Sequence, residues 1–263
     1  MSISDREQNL SLENYKMLSD EELLRYSRQI MLQQIDIAGQ QKLRVAHVLV
    51  LGAGGLGSPV LLYLAAAGIG QLTIVDDDQV DSSNLQRQII HQESTQGIDK
   101  VESAKQRLKQ INPSCKVNTI NQRLDLQSMK QVLSSIDLVV DCCDNFTTRF
   151  MLNEVCWQSK TPLVSGAAIR WEGQLTTFLM KPDSACYACL YDTDSYTDQS
   201  CSENGVLGPI VGTIGSLQAL EAIKVLSGAG KPLAGWLMLF DGMEQSFNKI
   251  KYNKKKDCSV CSK

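Results

Sequence analysis

An α/β fold built on a Rossmann-like, mainly parallel sheet with helices on both faces is predicted by three observations. Short apolar runs alternate with helix-patterned segments from Arg44 to Ile169, the signature of strands buried on both faces. The first run leads into "GAGGLG", which sets Gly52, Gly54 and Gly57 in G-x-G-x-x-G spacing, and the acidic "VDDD" (Asp76, Asp77, Asp78) ends the next strand. That is the fingerprint of a dinucleotide-binding strand-turn-helix. After Trp171 the pattern changes to strand-like pieces around one long helix, which predicts antiparallel strands added to the same sheet.

Each element has its own local reason. "SDEELLRYSRQIML" begins with a capping Ser19 and an acidic first turn, so it reads as a helix. "RVAHVLVLG" is a buried strand, "GLGSPVLLYLAAAG" a helix ending near Gly68, and "QLTIVDDD" a second strand. "KVESAKQRLKQIN" is a helix stopped by Pro113, followed by the strand "CKVNTINQ". The helix "LQSMKQVLSS", strand "IDLVVDCCD", helix "FTTRFMLNEVCWQSK" and strand "TPLVSGAAI" continue the alternation. Beyond Trp171, "GQLTTFLM", "WLMLFDG" and "SFNKIKYN" are strand-like. The apolar "GVLGPIVGTIGSLQALEAIKVL" is interrupted by Gln218, Glu221 and Lys224, so it is expected to be a core or interface helix and not a membrane span.

The 263 residues suffice for one sizeable core, and no repeat or low-complexity linker divides them. A flexible N-terminus is expected over 1–19 and a single domain over 20–263, with a nucleotide-binding part to about 170 and a second part beyond it. The net charge of −3 gives no footprint for nucleic acid. The one basic run, "NKIKYNKKK", reads as a solvated strand and turn. The polar opening "MSISDREQNLSLENYK" has no secretory pattern. A cytoplasmic protein is expected, and its nine cysteines then suit metal binding better than disulfides.

The glycine-rich turn predicts a nucleotide but leaves NAD and ATP both open. Gly52 permits the tight turn, Gly54 lets phosphate approach the backbone, and Gly57 allows close helix packing. The helix N-terminus faces the phosphates, and Asp76 is placed to bind a ribose hydroxyl. A dehydrogenase needs a proton relay, yet the only histidines are His47 and His91, both read as structural. The chain offers instead Asn84 and Arg87 in "SSNLQRQ", then Lys100, then Asp144 in "DCCDN". Two cations, an amide and a carboxylate able to hold Mg²⁺ are what transfer at a phosphate requires.

"RYSRQI", "GAGGLG", "SNLQRQ", "DKVESA", "INP", "DCCDN", "PLVSGAAIRWEGQ" and two CxxC pairs occur in one order. In that order the chain resembles the MoeB/ThiF adenylyltransferases, the bacterial branch of the ubiquitin-activating-enzyme superfamily, from about Asp20 to Cys261. The resemblance implies ATP-dependent adenylation of the C-terminal glycine of a ubiquitin-like sulfur carrier with a Gly-Gly tail. "VSGAAIRWEGQ" favours the carrier of molybdopterin synthesis, while "RYSRQI" and "LLYLAAAG" with "VDDD" lean toward the thiamine carrier. It further implies that Asp76 holds the ribose and that Asn84, Arg87 and Lys100 contact phosphates. Asp144 would bind Mg²⁺, with Gly55, Ser83 and Asn145 beside the nucleotide. Arg28 would reach the γ-phosphate of the opposite subunit of a homodimer. The chain ends at its last cysteine pair without a rhodanese domain, so sulfur would come from a separate desulfurase or rhodanese. An NAD-dependent oxidoreductase and a non-catalytic carrier-binding scaffold are the rival readings.

Cys186 and Cys189 in "CYAC" and Cys258 and Cys261 in "CSVC" are expected to form one structural Zn²⁺ site that ties down the C-terminal segment. Two independent redox pairs are the alternative. Lys254, Lys255 and Lys256 are placed to soften the charge of four thiolates. Cys201, in the polar "YDTDSYTDQSCSEN", is either a sulfur-relay residue in a crossover loop or a dispensable thiol. Cys115, Cys142, Cys143 and Cys156 are expected to be packing residues.

Overall fold

Ser19 opens the first helix as its sequence predicts. Its hydroxyl accepts from the Glu22 N–H at 3.2 Å, and the Glu22 carboxylate accepts from the Ser19 N–H at 2.8 Å. This reciprocal box satisfies two donors that helix geometry leaves unpaired. The structure, a computed structural model, describes residues 17–191 and 205–262. The single helix expected here is broken into α1 (Asp20–Arg25) and α2 (Ser27–Ile30). Buried Tyr26 is the cause. Its hydroxyl accepts from the Asn112 amide at 2.8 Å, and its ring lies where a Cβ on Gly68 would approach within 2.6 Å.

A further helix, α3 (Asp36–Val45), was not legible, and the strand expected from Arg44 begins only at His47. The residues this helix buries are Gly39, Gln40 and Leu43, which make a poor apolar stripe. Gln40 is buried because its amide donates to the Ala67 carbonyl at 3.0 Å.

From there the predicted alternation holds: β1 (His47–Leu51), α4 (Gly57–Ala66), β2 (Gln71–Val75), α5 (Lys100–Ile111) and β3 (Lys116–Ile120). α6 (Leu126–Leu133), β4 (Leu138–Asp141), α7 (Phe146–Ser159) and β5 (Leu163–Ile169) follow. Next come β6 (Glu172–Phe178), the short α8 (Tyr187–Leu190), α9 (Gly208–Ser227), β7 (Trp236–Asp241) and β8 (Ser246–Lys251). All strands join one eight-stranded sheet in the order β3-β2-β1-β4-β5-β6-β7-β8. The first five are parallel and β6, β7 and β8 extend the sheet antiparallel, as expected.

Strand β1 shows how the sheet divides the core. Val48 and Val50 pack with α4 residues Leu61 and Leu64, whereas Leu49 and Leu51 pack with Met129 of α6 and Leu152 of α7 on the other face. Each fully buried Val or Leu contributes roughly 1.5–3 kcal/mol relative to exposure. Helix α9 is apolar and long enough to cross a membrane by composition, but half of it is buried against this sheet. It buries Ile210, Val211, Ile214, Ala219 and Ala222, the core helix that its sequence predicts.

Candidate active site

The chain leaves β1 at Gly52, whose φ of 101° lies in the left-handed region. A Cβ there would stand 2.8 Å from the Cys142 carbonyl oxygen, and one on Gly57 would stand 2.0 Å from the Gly52 carbonyl oxygen. Both glycines are therefore required by the fold itself. Gly54 is different, since a Cβ would meet nothing closer than the Gln88 amide at 3.7 Å. Its bare backbone faces a cleft, beside the N-terminus of α4, where unpaired N–H groups favour an anion.

The cleft measures about 580 Å³ and opens where the carboxyl ends of β1, β2 and β4 meet, the switch point at which ligands bind such sheets. It is lined by Gly52, Gly54, Gly55 and Asp76, and by Asn84, Arg87, Lys100, Asp144 and Asn145. Gly57 lies behind its wall. Ser83 is not among the lining residues: its N–H and hydroxyl both bond Asp81 Oδ1, at 2.8 and 2.5 Å. Arg28, exposed on α2, is not among them either.

Asp76 accepts from the Ala53 N–H at 2.7 Å and from the Asp78 N–H at 3.0 Å. Burial pushes its carboxyl above the usual carboxylate range, and the Lys100 charge opposes that rise. The next peptide group is held too, because His91 Nε2 lies 2.9 Å from the Ala53 carbonyl. Lys100 opens α5 with a buried side chain whose ammonium meets Asp78 at 2.7 Å. An ammonium has three donors, so two remain for a ligand. Arg87 donates to the Ser83 carbonyl at 3.1 Å and to Asn84 Oδ1 at 3.0 Å, and Gln88 donates to the same oxygen at 3.0 Å. Asn84 thus orients Arg87 as well as lining the cleft.

Asp144 is exposed on the turn between β4 and α7, and Asn145 caps α7 by accepting from the Thr148 N–H at 2.9 Å. Beneath this turn lies a buried pair that the sequence reading missed. Arg149 Nε stands 3.8 Å from Asp141 Oδ2, and its Nη2 donates to the Cys143 carbonyl and, at 2.9 Å, to the Gly166 carbonyl. Asp141 accepts from the Cys143 N–H at 3.0 Å and from the Ser165 hydroxyl at 2.7 Å. Burial opposes the guanidinium charge, but Asp141 and the neighbouring polar groups together outweigh it and hold Arg149 above its ordinary value. The available signal was spacing, since Arg149 stands four residues after Asn145 on one helix face. Gln88 and the apolar wall of Leu124 and Met129 were also missed.

The four sulfurs of Cys186, Cys189, Cys258 and Cys261 lie within 4.8 Å of one another, all buried. The close approaches run between the two motifs, Cys186 to Cys258 at 3.7 Å and Cys189 to Cys261 at 3.4 Å. Thiolates ~2.3 Å from a tetrahedral Zn²⁺ stand ~3.8 Å apart, so one shared metal fits and two separate redox pairs do not. Burial pushes the Cys258 thiol up, but the backbone N–H groups of Cys261 and Val260 together with the Cys261 and Cys186 thiols prevail and bring it to about 7. Around the cluster, the Asn153 amide reaches Cys186 Sγ at 3.6 Å and the Lys255 N–H reaches Cys189 Sγ at 3.4 Å. The Lys254 ammonium instead donates to the Pro182 carbonyl and lies over Trp157, 5.4 Å from the ring centre. Cys201 falls outside the described residues.

Burial raises the Cys142 and Cys143 thiols well above their ordinary value, and pushes Cys115 up to about 12. Such thiols are neutral packing groups. His47 Nε2 pairs with the Thr73 hydroxyl at 2.8 Å, and His91 is buried, so both histidines serve the fold.

A mainly parallel sheet with a glycine-rich turn at its switch point, and a cleft there lined by four cations and four carboxylates, defines an α/β protein of the mononucleotide-binding type of fold. The model of the ThiF family matches residues 26–260. Molybdopterin-synthase adenylyltransferase of Salmonella typhimurium is 47% identical over 244 residues, covering 93% of this chain and 98% of that protein. Adenylyltransferase and sulfurtransferase MOCS3 of Culex quinquefasciatus is 47% identical over 93% of this chain, which spans 56% of that longer protein. The microcin C7 biosynthetic enzyme MccB, solved with N-formylated MccA, shares the fold. Its TM-score is 0.82 at 24% identity, over 90% of this chain and 74% of that one. The chain belongs to the ThiF family.

Proposed function

We propose that the protein is an ATP-dependent adenylyltransferase. It activates the C-terminal glycine carboxylate of a ubiquitin-like sulfur carrier, the small subunit of molybdopterin synthase. The observation that carries this reading is the convergence of Asp76, Asn84, Arg87, Lys100 and Asp144 on one cleft beside the bare backbone of Gly54. The names of relatives at 47% identity over nearly their whole length support it.

The carrier's terminal carboxylate is the nucleophile and is ionised at neutral pH, since such groups titrate near ~3.5. It attacks the α-phosphate, pyrophosphate leaves, and an acyl adenylate remains. No general base is needed, in keeping with the engaged histidines. Asp76 holds the ribose, Arg87 and Lys100 neutralise phosphate charge, and Asp144 would hold Mg²⁺, which would offset charge on the leaving pyrophosphate. A second groove of about 530 Å³ shares Asp144, Asn145, Arg149 and Ala168 with the first and runs over Gly173 and Phe240. It gives a Gly-Gly tail a path to the phosphates. The four cysteines hold structural Zn²⁺. In a twofold dimer Arg28 reaches the partner's site, and a separate desulfurase or rhodanese supplies sulfur, with Cys201 available for a relay.

ATP–pyrophosphate exchange tests the proposal. It should require the molybdopterin carrier and vanish when that carrier's last glycine is deleted. Exchange with the truncated carrier would refute the mechanism, and exchange only with the thiamine carrier would move the substrate assignment there.

A further inference from the structure

Two buried charges stand behind the turn that carries Asp144. Asp141 ends β4, and Arg149 lies on α7 four residues after the capping Asn145. Asp141 Oδ1 accepts from the Cys143 N–H at 3.0 Å, and Arg149 Nη2 donates to the Cys143 carbonyl. Two successive peptide groups are thus held, and the second leads directly into Asp144. The Asn145 amide adds a contact to the carboxylate itself, 3.4 Å from Asp144 Oδ1. The pair is anchored in turn to the neighbouring elements. Arg149 Nη2 also donates to the Gly166 carbonyl of β5 at 2.9 Å. Ser165, the register partner of Asp141 on β5, donates its hydroxyl to Asp141 Oδ2 at 2.7 Å. The Gln218 amide of α9 donates to the Asp141 carbonyl at 2.7 Å. Asp141 is 1% exposed and Arg149 6%. Arg149 nevertheless lines both clefts, as Asp144 does, so it stands where they join.

A buried ion pair is weak grounds for stability, since apolar side chains of similar volume often serve a fold as well or better. What apolar groups cannot do is grip the polar backbone on both sides of Cys143. A guanidinium presents a planar fork of donors to several acceptors at once, which an ammonium does not. We infer that Asp141 and Arg149 are positioning residues for the Asp144 carboxylate, holding its turn in the shape that meets a nucleotide-bound divalent cation. The inference rests on the reading of Asp144 as the Mg²⁺-holding residue.

Titration calorimetry of the full-length protein with a non-hydrolysable ATP analogue, with and without Mg²⁺, tests it. The ratio of the two affinities reads the hold of Asp144 on the metal. A general loosening of the cleft would weaken both affinities and leave the ratio unchanged. Arg149→Lys keeps the charge beside Asp141 but loses the fork. It should bind the metal-free analogue as wild type does. Its ratio should fall by about tenfold, the lower range for residues that orient a metal ligand, or to the Asp144→Ala value if that is nearer. If melting shows Arg149→Lys unfolded, Asp141→Asn, which keeps the size and the acceptor oxygen, is judged by the same ratio. A wild-type ratio in either folded variant overturns the positioning role. Loss of the fold in both overturns it too, since the pair would then serve the fold alone. A wild-type ratio in Asp144→Ala overturns the Mg²⁺ reading of Asp144 instead, and a wild-type protein that fails to bind the analogue overturns the nucleotide reading itself.

Discussion

Replacing Gly54 and Gly57 by alanine, one at a time, should impair the protein by two different routes. At Gly57 the new methyl would lie 2.0 Å from the Gly52 carbonyl oxygen, against 3.4 Å for ordinary contact. Neither backbone segment can step aside, so α4 must withdraw from β1 by roughly 1.4 Å, at the upper end of overpacking costs, about 3 kcal/mol. For a chain of this size that lowers Tm by roughly 6–12 °C. At Gly54 the methyl meets only the Gln88 amide at 3.7 Å, and φ is ordinary, so stability should stay within about 0.5 kcal/mol of wild type. The methyl does occupy the approach of a phosphate to the backbone. Losing one charge-assisted hydrogen bond, worth about 1.5–3 kcal/mol, should weaken ATP about tenfold to a hundredfold. Calorimetric melting and titration with ATP separate the two. A Gly54→Ala protein that binds ATP as well as wild type would refute the phosphate cradle. A Gly57→Ala protein with unchanged Tm would refute the packing argument.

Cys258→Ser should lose zinc and melt at lower temperature, whereas Cys142→Ser should keep one zinc per chain; metal analysis of purified protein checks both, and wild type without stoichiometric zinc would sink the assignment. Burial, reinforced by the Lys100 charge against the Ala53 hydrogen bond, holds His91 below its ordinary 6.5. A group depressed in the fold contributes stability that is full above pH ~6.5 and is lost as pH falls through the folded value. The Tm advantage of wild type over His91→Gln should therefore shrink between about pH 8 and pH 5.5, and a constant or growing advantage would contradict the neutral assignment. Arg28→Ala and Asp144→Ala should each be nearly inactive alone. Mixed equally and allowed to exchange subunits, they should recover roughly a quarter of wild-type pyrophosphate exchange, as a twofold dimer with shared sites requires. No recovery after verified exchange would place Arg28 elsewhere.

What the sequence disclosed and what it withheld divide along a physical line. Parallel strands such as "HVLVL" are apolar on both faces, and the glycines of the turn are fixed by clashes within a few residues, so both announce themselves locally. Helix α3 did not, because its buried Gln40 is satisfied by groups outside the helix, the Ala67 carbonyl and the Gln29 amide. The break at Tyr26 likewise depends on Asn112 and Gly68. Within the site, the residues that line the cleft were legible as motif, but Arg149 was not. A guanidinium in "FTTRF" looks like a solvated helix charge until Asp141, eight residues earlier, is seen to be buried with it. Ser83 shows the converse, a motif residue outside the cleft lining whose N–H and O–H both donate to Asp81.

The two peptide groups that flank Ala53, one held at the Ala53 N–H by Asp76 and the other at the Ala53 carbonyl by His91, have a consequence for the kinetics of nucleotide capture. A loop whose two successive central peptide planes are each held has lost its conformational entropy during folding and not at encounter. Binding then needs no reordering of the turn, and association is limited by diffusion and steering more than by waiting for a rare open shape. The Ala53 amide hydrogen would then exchange with solvent only through larger openings of the fold.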